Sequence, residues 1–221
     1  MGGSQSNIAV NLAPGSRKKI VVIGGSFGGK YITNMLQQLD PKEIQFEVLI
    51  IDKNEHFEYI CANFASLADE NAWAKNTIKF TEAIKSYDSS RVTFKQGKLC
   101  NVLSDKNQVE IETLGGQKEM VPFDCLIIAT GASYVSPWRG KNVVLTNEER
   151  EAEVSEVRKK IKAAKSILCV GAGPTGLETA GYLKEKYPGT KIGICQRGPK
   201  LLPAFEGASD MIRTIFKTMD I

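Results

Sequence analysis

The pattern of apolar and polar positions predicts short buried strands that alternate with amphipathic helices. Continuous apolar or β-branched runs predict strands over Ile20–Ile23, Phe46–Ile51, Phe123–Thr130, Ile167–Val170 and Lys191–Cys195. Amphipathic segments predict helices over Lys30–Leu39 and Leu177–Lys186, and Asp210–Ile221 is also expected to be a helix. This alternation is typical of an α/β fold with a parallel sheet.

Two glycine-rich turns repeat one pattern along the chain. Ile20–Gly29 reads IVVIGGSFGG, Ile167–Gly176 reads ILCVGAGPTG, and each turn joins a predicted strand to a predicted helix. Such a turn can bind a diphosphate, because the N–H groups at the helix N-terminus and the helix dipole attract anions. One glycine-rich turn alone can be an ordinary tight connection. Two of them, about 150 positions apart, predict two Rossmann-like βαβ dinucleotide-binding units.

The first turn departs from the G-x-G-x-x-G pattern at its second glycine. Ser26 stands between Gly24 and Gly29, where a glycine normally lets the pyrophosphate approach the backbone. The Cβ of Ser26 either weakens cofactor binding or only shifts the cofactor, because the neighbouring glycines keep the loop nearly bare. We assign the whole loop to cofactor binding: Gly24, Gly25, Ser26, Phe27, Gly28 and Gly29.

Asp52 ends the second predicted strand, 28 positions after Gly24. A carboxylate at this place would hydrogen-bond the hydroxyls of the adenosine ribose. The alternative interpretation is an ordinary aspartate at a strand end. We include Lys53 and Leu99 among the expected cofactor-binding residues.

Arg91–Val121 has a different pattern, in which short strand-like runs are separated by turn residues. The turns are expected at Gly97, Asp105–Asn107 and Gly115–Gly116, and they predict a β-meander in the first unit. The apolar strand that follows ends in small residues, which would let the strand end lie close to the first diphosphate: Ala129, Thr130 and Gly131. The alternative is a buried parallel strand that a turn stops.

The second turn has the complete pattern. Gly171, Gly173 and Gly176 occupy its three glycine positions, and Pro174 and Thr175 lie between the last two. We assign all five residues to cofactor binding. The helix that follows ends before Pro188-Gly189, a clear stop signal.

The composition indicates an ordinary globular protein. The chain has 221 residues, of which 42% are hydrophobic and 24% charged, and its net charge is +4. Because the basic residues are scattered, with no stripe or aromatic RNA-binding pattern, nucleic acid is not an expected partner. No apolar stretch of about 18 residues predicts a transmembrane helix.

The cysteine and histidine positions argue against metal and disulfide chemistry. None of the five cysteines forms a C-x-x-C pair, and His56 is the only histidine, so no zinc site is predicted. Without a cysteine pair, a disulfide-reductase mechanism is not expected. Cys125 and Cys169 lie in apolar runs and are interpreted as small buried hydrophobic residues. Reduced thiols fit an intracellular location.

The first six residues match an N-myristoylation signal. Gly2 follows Met1 and Ser6 occupies the sixth position. The alternative is a disordered polar tail over residues 1–17. Because one myristoyl chain binds membranes only marginally, a second signal would be needed, and Arg17-Lys18-Lys19 either supplies it or begins the first strand. We expect a cytoplasmic protein or one bound peripherally to a membrane.

The motifs together resemble those of one enzyme family. IGGSFGG, IID, FDCLIIATGA, CVGAGPTGLETAGYL and ICQRGPKLLP follow one another as in the FAD/NAD(P)H-dependent pyridine-nucleotide oxidoreductases. The chain most resembles the apoptosis-inducing-factor-like (ferroptosis suppressor protein-like) branch. The resemblance implies FAD in a domain over residues 18–140 and NAD(P)H in a domain over residues 141–221. It also implies hydride transfer from nicotinamide to flavin and onward to a quinone or other small acceptor, without a metal or a catalytic side chain.

The resemblance also implies roles for single residues. Glu178 falls where the family places an acid close to the nicotinamide and the flavin. Cys61 could lie near the isoalloxazine, and His56 could contact a cofactor or, as a lone histidine in a loop, lie on the surface. Gln196 stands where relatives that prefer NADH often have Glu. Its neutral amide would not repel a 2′-phosphate and Arg197 could pair with one, so NADPH should be tolerated, unless Arg197 is a solvent-facing turn residue.

Family members continue well past the last predicted helix, so the resemblance implies that both units are incomplete relative to the family. Either the sequence is a fragment, or we expect a protein partner that covers the open sheet edges. The first hypothesis for function is an NAD(P)H-dependent flavin oxidoreductase. The alternative is a catalytically degenerate relative that serves as a structural or nucleotide-binding subunit of a larger assembly.

Overall fold

The chain forms two compact units in the structure, a computed structural model that describes residues 17–39, 45–134, 138, 140, 142–205 and 207–221. Within these ranges, unit 1 comprises residues 17–54 and 80–131, and unit 2 comprises residues 55–79 and 132–221. Residues 55–79 therefore pack in unit 2, although they fall inside the predicted FAD-binding domain. The myristoylation signal at Gly2 lies outside the described residues.

The structure contains the predicted strands and helices together with elements that the sequence did not predict, among them the helix Asn147–Ala163. The strands are β1 (Lys18–Ile23), β2 (Phe46–Asp52), β3 (His56–Glu58), β4 (Thr77–Lys79), β5 (Val92–Gln96), β6 (Lys98–Leu103), β7 (Gln108–Glu112), β8 (Lys118–Pro122), β9 (Cys125–Ile128), β10 (Ser166–Val170) and β11 (Lys191–Cys195). The α-helices are α1 (Phe27–Gln37), α2 (Asn63–Ala68), α3 (Glu70–Asn76), α4 (Phe80–Ala83), α5 (Asn147–Ala163), α6 (Pro174–Lys186) and α7 (Ala208–Thr218). No helix in these described ranges is long and apolar enough to cross a membrane.

A four-stranded parallel sheet in the order β5-β2-β1-β9 is the centre of unit 1. Its β-branched residues alternate between two apolar clusters. Val22 and Ile50 belong to a cluster that includes Leu36 of α1. Val21 and Ile51 belong to a second cluster, which includes residues of β7 and β8. Both faces of the sheet are therefore covered, as a parallel sheet requires.

The β-meander is shorter than predicted. Val92–Gln96 does not join it but pairs in parallel with β2, so that Val48 lies opposite Val92. Only β6, β7 and β8 form the antiparallel meander. The prediction for Val92–Gln96 is wrong because Gly97 indicates only a turn. The same turn can join two strands of one sheet or connect strands of two different sheets.

Unit 2 contains the second βαβ unit. β10 and β11 are parallel, and α6 contributes Ala180 and Leu183 to a buried cluster with Ile192 of β11. α5 begins at a capping box, in which the Thr146 hydroxyl accepts from the Glu149 N–H and the Glu149 carboxylate accepts from the Thr146 N–H. These interactions define the start of α5, which lies next to the antiparallel pair β3–β4 through the ion pair between Glu148 and Lys79.

The prediction that Cys125 and Cys169 are buried is correct only in part. Cys169 is partly buried among the apolar residues of unit 2, and burial raises the pKa of its thiol. Cys125 is exposed, contrary to the prediction. It lies on β9, one of the two edge strands of the four-stranded sheet that the described residues of unit 1 form.

A buried ion pair joins α5 to β3 in unit 2. Arg150 is 1% exposed, and its Nη2 donates to Glu58 Oε1 at 2.9 Å. Its Nε donates to the second carboxylate oxygen of Glu58 at 3.3 Å. Asn63 Nδ2 donates to Oε1 of the same carboxylate at 2.8 Å. Each charge is paired and hydrogen-bonded, which is the condition under which buried charges are tolerated.

His56 is buried on β3, which corrects the expectation that it lies in a surface loop. It is 1% exposed, and its ring meets the edge of Trp73 with the ring centroids 5.6 Å apart. Burial lowers the pKa of His56, and the Arg150 guanidinium lowers it further, whereas the carboxylates of Glu58, Glu55 and Glu148 oppose the shift. Folding therefore favours the neutral form of the imidazole.

We expect the stability of unit 2 to fall when the pH is lowered below about 6.5, the ordinary pKa of histidine. The unfolded chain then binds a proton that the folded chain excludes, so the free energy of unfolding falls by up to about 1.4 kcal/mol per pH unit, until the pH reaches the lowered folded-state pKa. Tryptophan fluorescence can follow this, because both tryptophans, Trp73 and Trp138, belong to unit 2. His56→Phe should flatten the dependence between about pH 5 and 7. If the free energy of unfolding of this variant depends on pH as steeply as that of the wild type, His56 is not the cause of the dependence.

Candidate functional site

The first glycine turn lies between β1 and α1, as predicted. Gly24 has a φ of +98°, and its N–H donates to the carbonyl of Ile51 at 2.7 Å. A Cβ on Gly29 would lie 1.8 Å from the carbonyl oxygen of Gly24, so the first turn of α1 packs backbone against backbone. Only glycine fits at these two positions without a shift of the backbone.

Ser26 is the N-cap residue of α1, and its side chain makes no capping hydrogen bond. The first bond of the helix runs from the Lys30 N–H to the Ser26 carbonyl at 2.8 Å. The amides that precede it belong to the first turn, where a helix offers N–H groups and a positive dipole end to an anion. Phe27 is 43% exposed beside them. The backbone therefore has the geometry expected of a diphosphate-binding turn, with a serine at its second glycine position.

Asp52 is tied to this turn. Its Oδ2 accepts from the Gly25 N–H at 2.8 Å, and its Oδ1 accepts from the Asn54 N–H at 2.9 Å. The carboxylate is partly buried at the carboxyl end of β2. The structure thus brings together the loop and the strand-end carboxylate that the sequence singled out, at the edge where ligands bind in such sheets.

The end of β9 completes the surroundings of the first turn. Ala129 donates its N–H to the Ile23 carbonyl at 2.7 Å, and a Cβ on Gly24 would lie 2.4 Å from the Ala129 carbonyl oxygen. Gly28 also packs against this residue, because a Cβ there would lie 3.3 Å from the Ala129 Cβ. Thr130 and Gly131 follow and are exposed. The backbone after β9 therefore leaves no room for a side chain on Gly24, and the approach of this strand end to a diphosphate stays a prediction.

Four other candidates lie elsewhere. Lys53 is partly buried, and its carbonyl accepts from Gln96 Nε2 at 3.1 Å. Leu99 lies on β6 and packs against the apolar cluster of the meander, so its side chain has a structural role there. His56 and Cys61 belong to unit 2, where Cys61 is exposed in a 3-10 turn.

The second glycine turn repeats the geometry of the first. Gly171 has a φ of +106° and donates to the Cys195 carbonyl at 2.7 Å. A Cβ on Gly176 would lie 2.0 Å from the Gly171 carbonyl oxygen. Gly173 is the N-cap of α6, and Pro174 follows as its first helical residue. Thr175 is exposed on the first turn of this helix.

Gln196 takes the place in unit 2 that Asp52 takes in unit 1. Its Oε1 accepts from the Ala172 N–H at 3.2 Å, and Ala172 is the second residue of its turn, as Gly25 is of the first. Arg197 is exposed directly after it, and Glu178 is exposed on α6. Sequence reasoning did not anticipate that residues 197–202 return to the turn, where Leu202 donates its N–H to the Ala172 carbonyl at 2.8 Å.

Comparison with known proteins agrees with this geometry. The family model for pyridine nucleotide-disulphide oxidoreductases matches residues 18–221. Apoptosis-inducing factor homolog A of Dictyostelium discoideum is 27% identical over 192 residues, which are 84% of this chain and 43% of that protein. Ferroptosis suppressor protein 1 of Taeniopygia guttata is 30% identical over 177 residues, which are 79% of this chain and 42% of that protein. The chain thus spans less than half the length of these relatives.

A solved structure shares the fold. The engineered water-forming NADPH oxidase TPNOX, bound to NADPH, superimposes with a TM-score of 0.69 at 16% identity. The match covers 91% of this chain and 45% of the oxidase. At this identity the likeness concerns the fold alone, and it agrees with the two βαβ units described above.

Proposed function

Because the chain belongs to the pyridine nucleotide-disulphide oxidoreductase family, we propose that it binds FAD in unit 1 and NAD(P)H in unit 2. The function proposed for it is an NAD(P)H oxidoreductase that passes electrons from nicotinamide to flavin and on to a quinone or another small acceptor. When bound, these cofactors supply the hydride-transfer chemistry themselves. The protein contributes binding, orientation and local charge.

The observation that carries the proposal is the repeated geometry of the two turns. In both, the first glycine has a positive φ, the third lies against the carbonyl of the first, and a strand-end side chain accepts from the amide of the second residue. An ordinary tight connection between a strand and a helix would also show the first two features. The third places a hydrogen-bonding side chain beside the helix N-terminus, where a ribose next to a bound diphosphate would lie.

Backbone donors and a carboxylate in unit 1 support the proposal that it binds FAD. The bare backbone of the turn would bind the diphosphate through N–H groups, and Asp52 offers carboxylate oxygens to ribose hydroxyls. No side chain is needed as an acid or base for this binding. In unit 2, the α6 N-terminus and Gln196 would bind the nicotinamide dinucleotide in the same manner. The family whose model matches residues 18–221 is described as one of oxidoreductases, which supports the redox assignment.

Ser26 favours the alternative, a catalytically degenerate relative that serves as a structural or nucleotide-binding subunit. Its Cβ lies on the N-cap of α1, at the position where Gly173 stands in the second turn. A Cβ built on Gly173 would meet nothing within 4 Å, so the protein itself leaves room at that position. The restriction at Ser26 would therefore be felt by a ligand and not by the fold.

Replacing Asp52 by alanine should lower the affinity for FAD by about tenfold or more, because hydrogen bonds to an ionised acceptor are lost. The full chain is incubated with FAD, freed of excess flavin and examined by visible absorption. Turnover is then measured as NADPH oxidation with a soluble quinone. Asp124→Ala is the matched control, since Asp124 also accepts a backbone N–H in unit 1, from Lys19 at 2.6 Å, but at the opposite end of the sheet.

The outcomes separate the two functions. Flavin bound by the wild type and lost in Asp52→Ala, with turnover by the wild type, supports the oxidoreductase. A folded wild type that binds no flavin while Ser26→Gly does would favour the degenerate subunit. Flavin bound without turnover with any quinone would also favour the subunit.

A further inference from the structure

We propose that a cleft in unit 1, at the opposite end of the parallel sheet from the first glycine turn, binds a small organic carboxylate. The cleft has a volume of about 400 Å³, and residues of the sheet and of β8 line it. Lys19, Glu47 and Arg91 place it near the amino ends of β1, β2 and β5. The glycine turn follows the carboxyl end of β1, so the cleft is separate from the proposed flavin site.

Arg91 is a buried cation in the lining of this cleft. It is 8% exposed, and its guanidinium lies over the ring of Phe46, 4.3 Å from the ring centroid. Its Nη2 is buried and has no hydrogen-bond partner within the described part of the chain. Buried charged groups are normally paired and hydrogen-bonded, because they lose their hydration on folding. The N–H groups of Arg91 lie in the plane of the guanidinium, and such a planar group is suited to binding a carboxylate.

The charges of the cleft leave one positive charge uncompensated. Three cations and two carboxylates line it, so the lining has a net charge of +1 at neutral pH. Lys95 Nζ contacts Glu119 Oε1 at 2.6 Å, in an ion pair that joins β5 to β8. The remaining carboxylate, Glu47, lies on the strand between those of the two remaining cations, Lys19 and Arg91. A singly charged anion therefore complements the cleft better than a dianionic phosphate does.

The rest of the lining suits an apolar body. Leu49 and Phe94 of the sheet and Met120 and Val121 of β8 offer aliphatic and aromatic surface. A volume of about 400 Å³ is at the lower end of the range found for small-molecule sites, which combine apolar walls with a few polar groups. The ligand class that fits these features is a carboxylate with a compact apolar body.

Three probes of similar shape test the charge of the ligand: 3-phenylpropionate, its amide 3-phenylpropionamide, and 2-phenylethyl phosphate at pH 8. Each is titrated into the full chain, and the NMR shifts of the backbone amides are followed. We expect the carboxylate to shift the amides of residues 92–95 and 119–121 and to bind at least about tenfold more tightly than the amide. The phosphate should bind no more tightly than the carboxylate, because Glu47 and Glu119 oppose its second negative charge.

Two variants test the site itself. Arg91→Met should weaken the binding of 3-phenylpropionate at least about tenfold, and it should fold, because an apolar side chain of similar volume often replaces a buried ion without loss of stability. Thr93→Phe should weaken binding as much while leaving every charge in place, because Thr93 is an exposed residue of the lining. Arg17→Met is the matched control. Arg17 is exposed and donates to the Ser90 carbonyl at 2.6 Å, but it does not line the cleft.

Each outcome supports or overturns one part of the proposal. Equal binding of the acid and its amide, or a phosphate that binds more than tenfold more tightly than the acid, overturns the ligand class. A loss in Arg17→Met as large as that in Arg91→Met shows general charge attraction and overturns the assignment to Arg91. Unchanged binding in Thr93→Phe overturns the site, even if Arg91→Met does not fold. None of these results bears on the proposed function, which is tested by flavin retention at the other end of the sheet.

Discussion

Replacing Gly29 by alanine should lower the free energy of unfolding of unit 1 by about 3 kcal/mol, at the upper end of what overpacking costs, and should abolish flavin retention. The added Cβ would lie 1.8 Å from the carbonyl oxygen of Gly24. Both partners are backbone atoms, so no side chain can rotate away and α1 must move from the turn. That movement displaces the N-terminal amides on which anion binding depends.

Hydrogen exchange over the peptides of β1 and α1 measures this loss, and visible absorption after incubation with FAD measures the bound flavin. Gly28→Ala is the matched control, because a Cβ there would lie 3.3 Å from the Ala129 side chain and 3.3 Å is a contact that a small adjustment can relieve. Tryptophan fluorescence should not change in either variant, since both tryptophans lie in unit 2. Retention of flavin by Gly29→Ala at the wild-type level would contradict the proposed role of this turn.

Replacing Arg150 by methionine should lower the free energy of unfolding of unit 2 by about 3–5 kcal/mol. The variant leaves the Glu58 carboxylate, which is 6% exposed, without the guanidinium that it faces. An unpaired buried charge costs more than the pair itself contributes. The double variant Glu58→Met with Arg150→Met should therefore recover most of the loss, because it removes both charges.

Denaturant unfolding followed by tryptophan fluorescence measures the Arg150 variants. The control is Lys159→Met on the same helix, whose ion pair with Glu156 has both side chains at least 65% exposed. Exposed pairs contribute little, so its unfolding midpoint should match the wild type. If Arg150→Met unfolds at the wild-type midpoint, or if the double variant is weaker than the single one, the pair does not stabilise unit 2 in this way.

The sequence predicted those features that depend on local pattern. The strand at Lys191–Cys195 has the predicted bounds, and the helix at Pro174–Lys186 begins three residues before the predicted start. The turns at Gly24 and Gly171 lie where the motif placed them, because a positive φ and a backbone crossing leave few alternatives to glycine. Local chemistry is therefore enough to locate the two glycine turns.

The remaining features depend on contacts between distant parts of the chain. His56 is buried because β4 and α3 cover it. The residues next to His56 in the sequence do not predict that these two elements pack there. The same reason explains why Val92–Gln96 was assigned to the wrong sheet and Cys125 to the interior. The return of residues 197–202 to the second turn is also non-local, since Leu202 lies 30 positions after Ala172. The second glycine motif ends at Gly176, so a search for that motif does not find residues 197–202.

The contact between Ala129 and the first turn has a consequence for biosynthesis. The N–H of Ala129 bonds to Ile23, 106 positions earlier, and its carbonyl lies against Gly24. A nascent chain therefore cannot close the surroundings of this cradle until β9 has left the ribosome, after most of unit 1 has been translated. Under the proposed function, we expect the growing polypeptide to bind FAD only after this long-range pairing has formed.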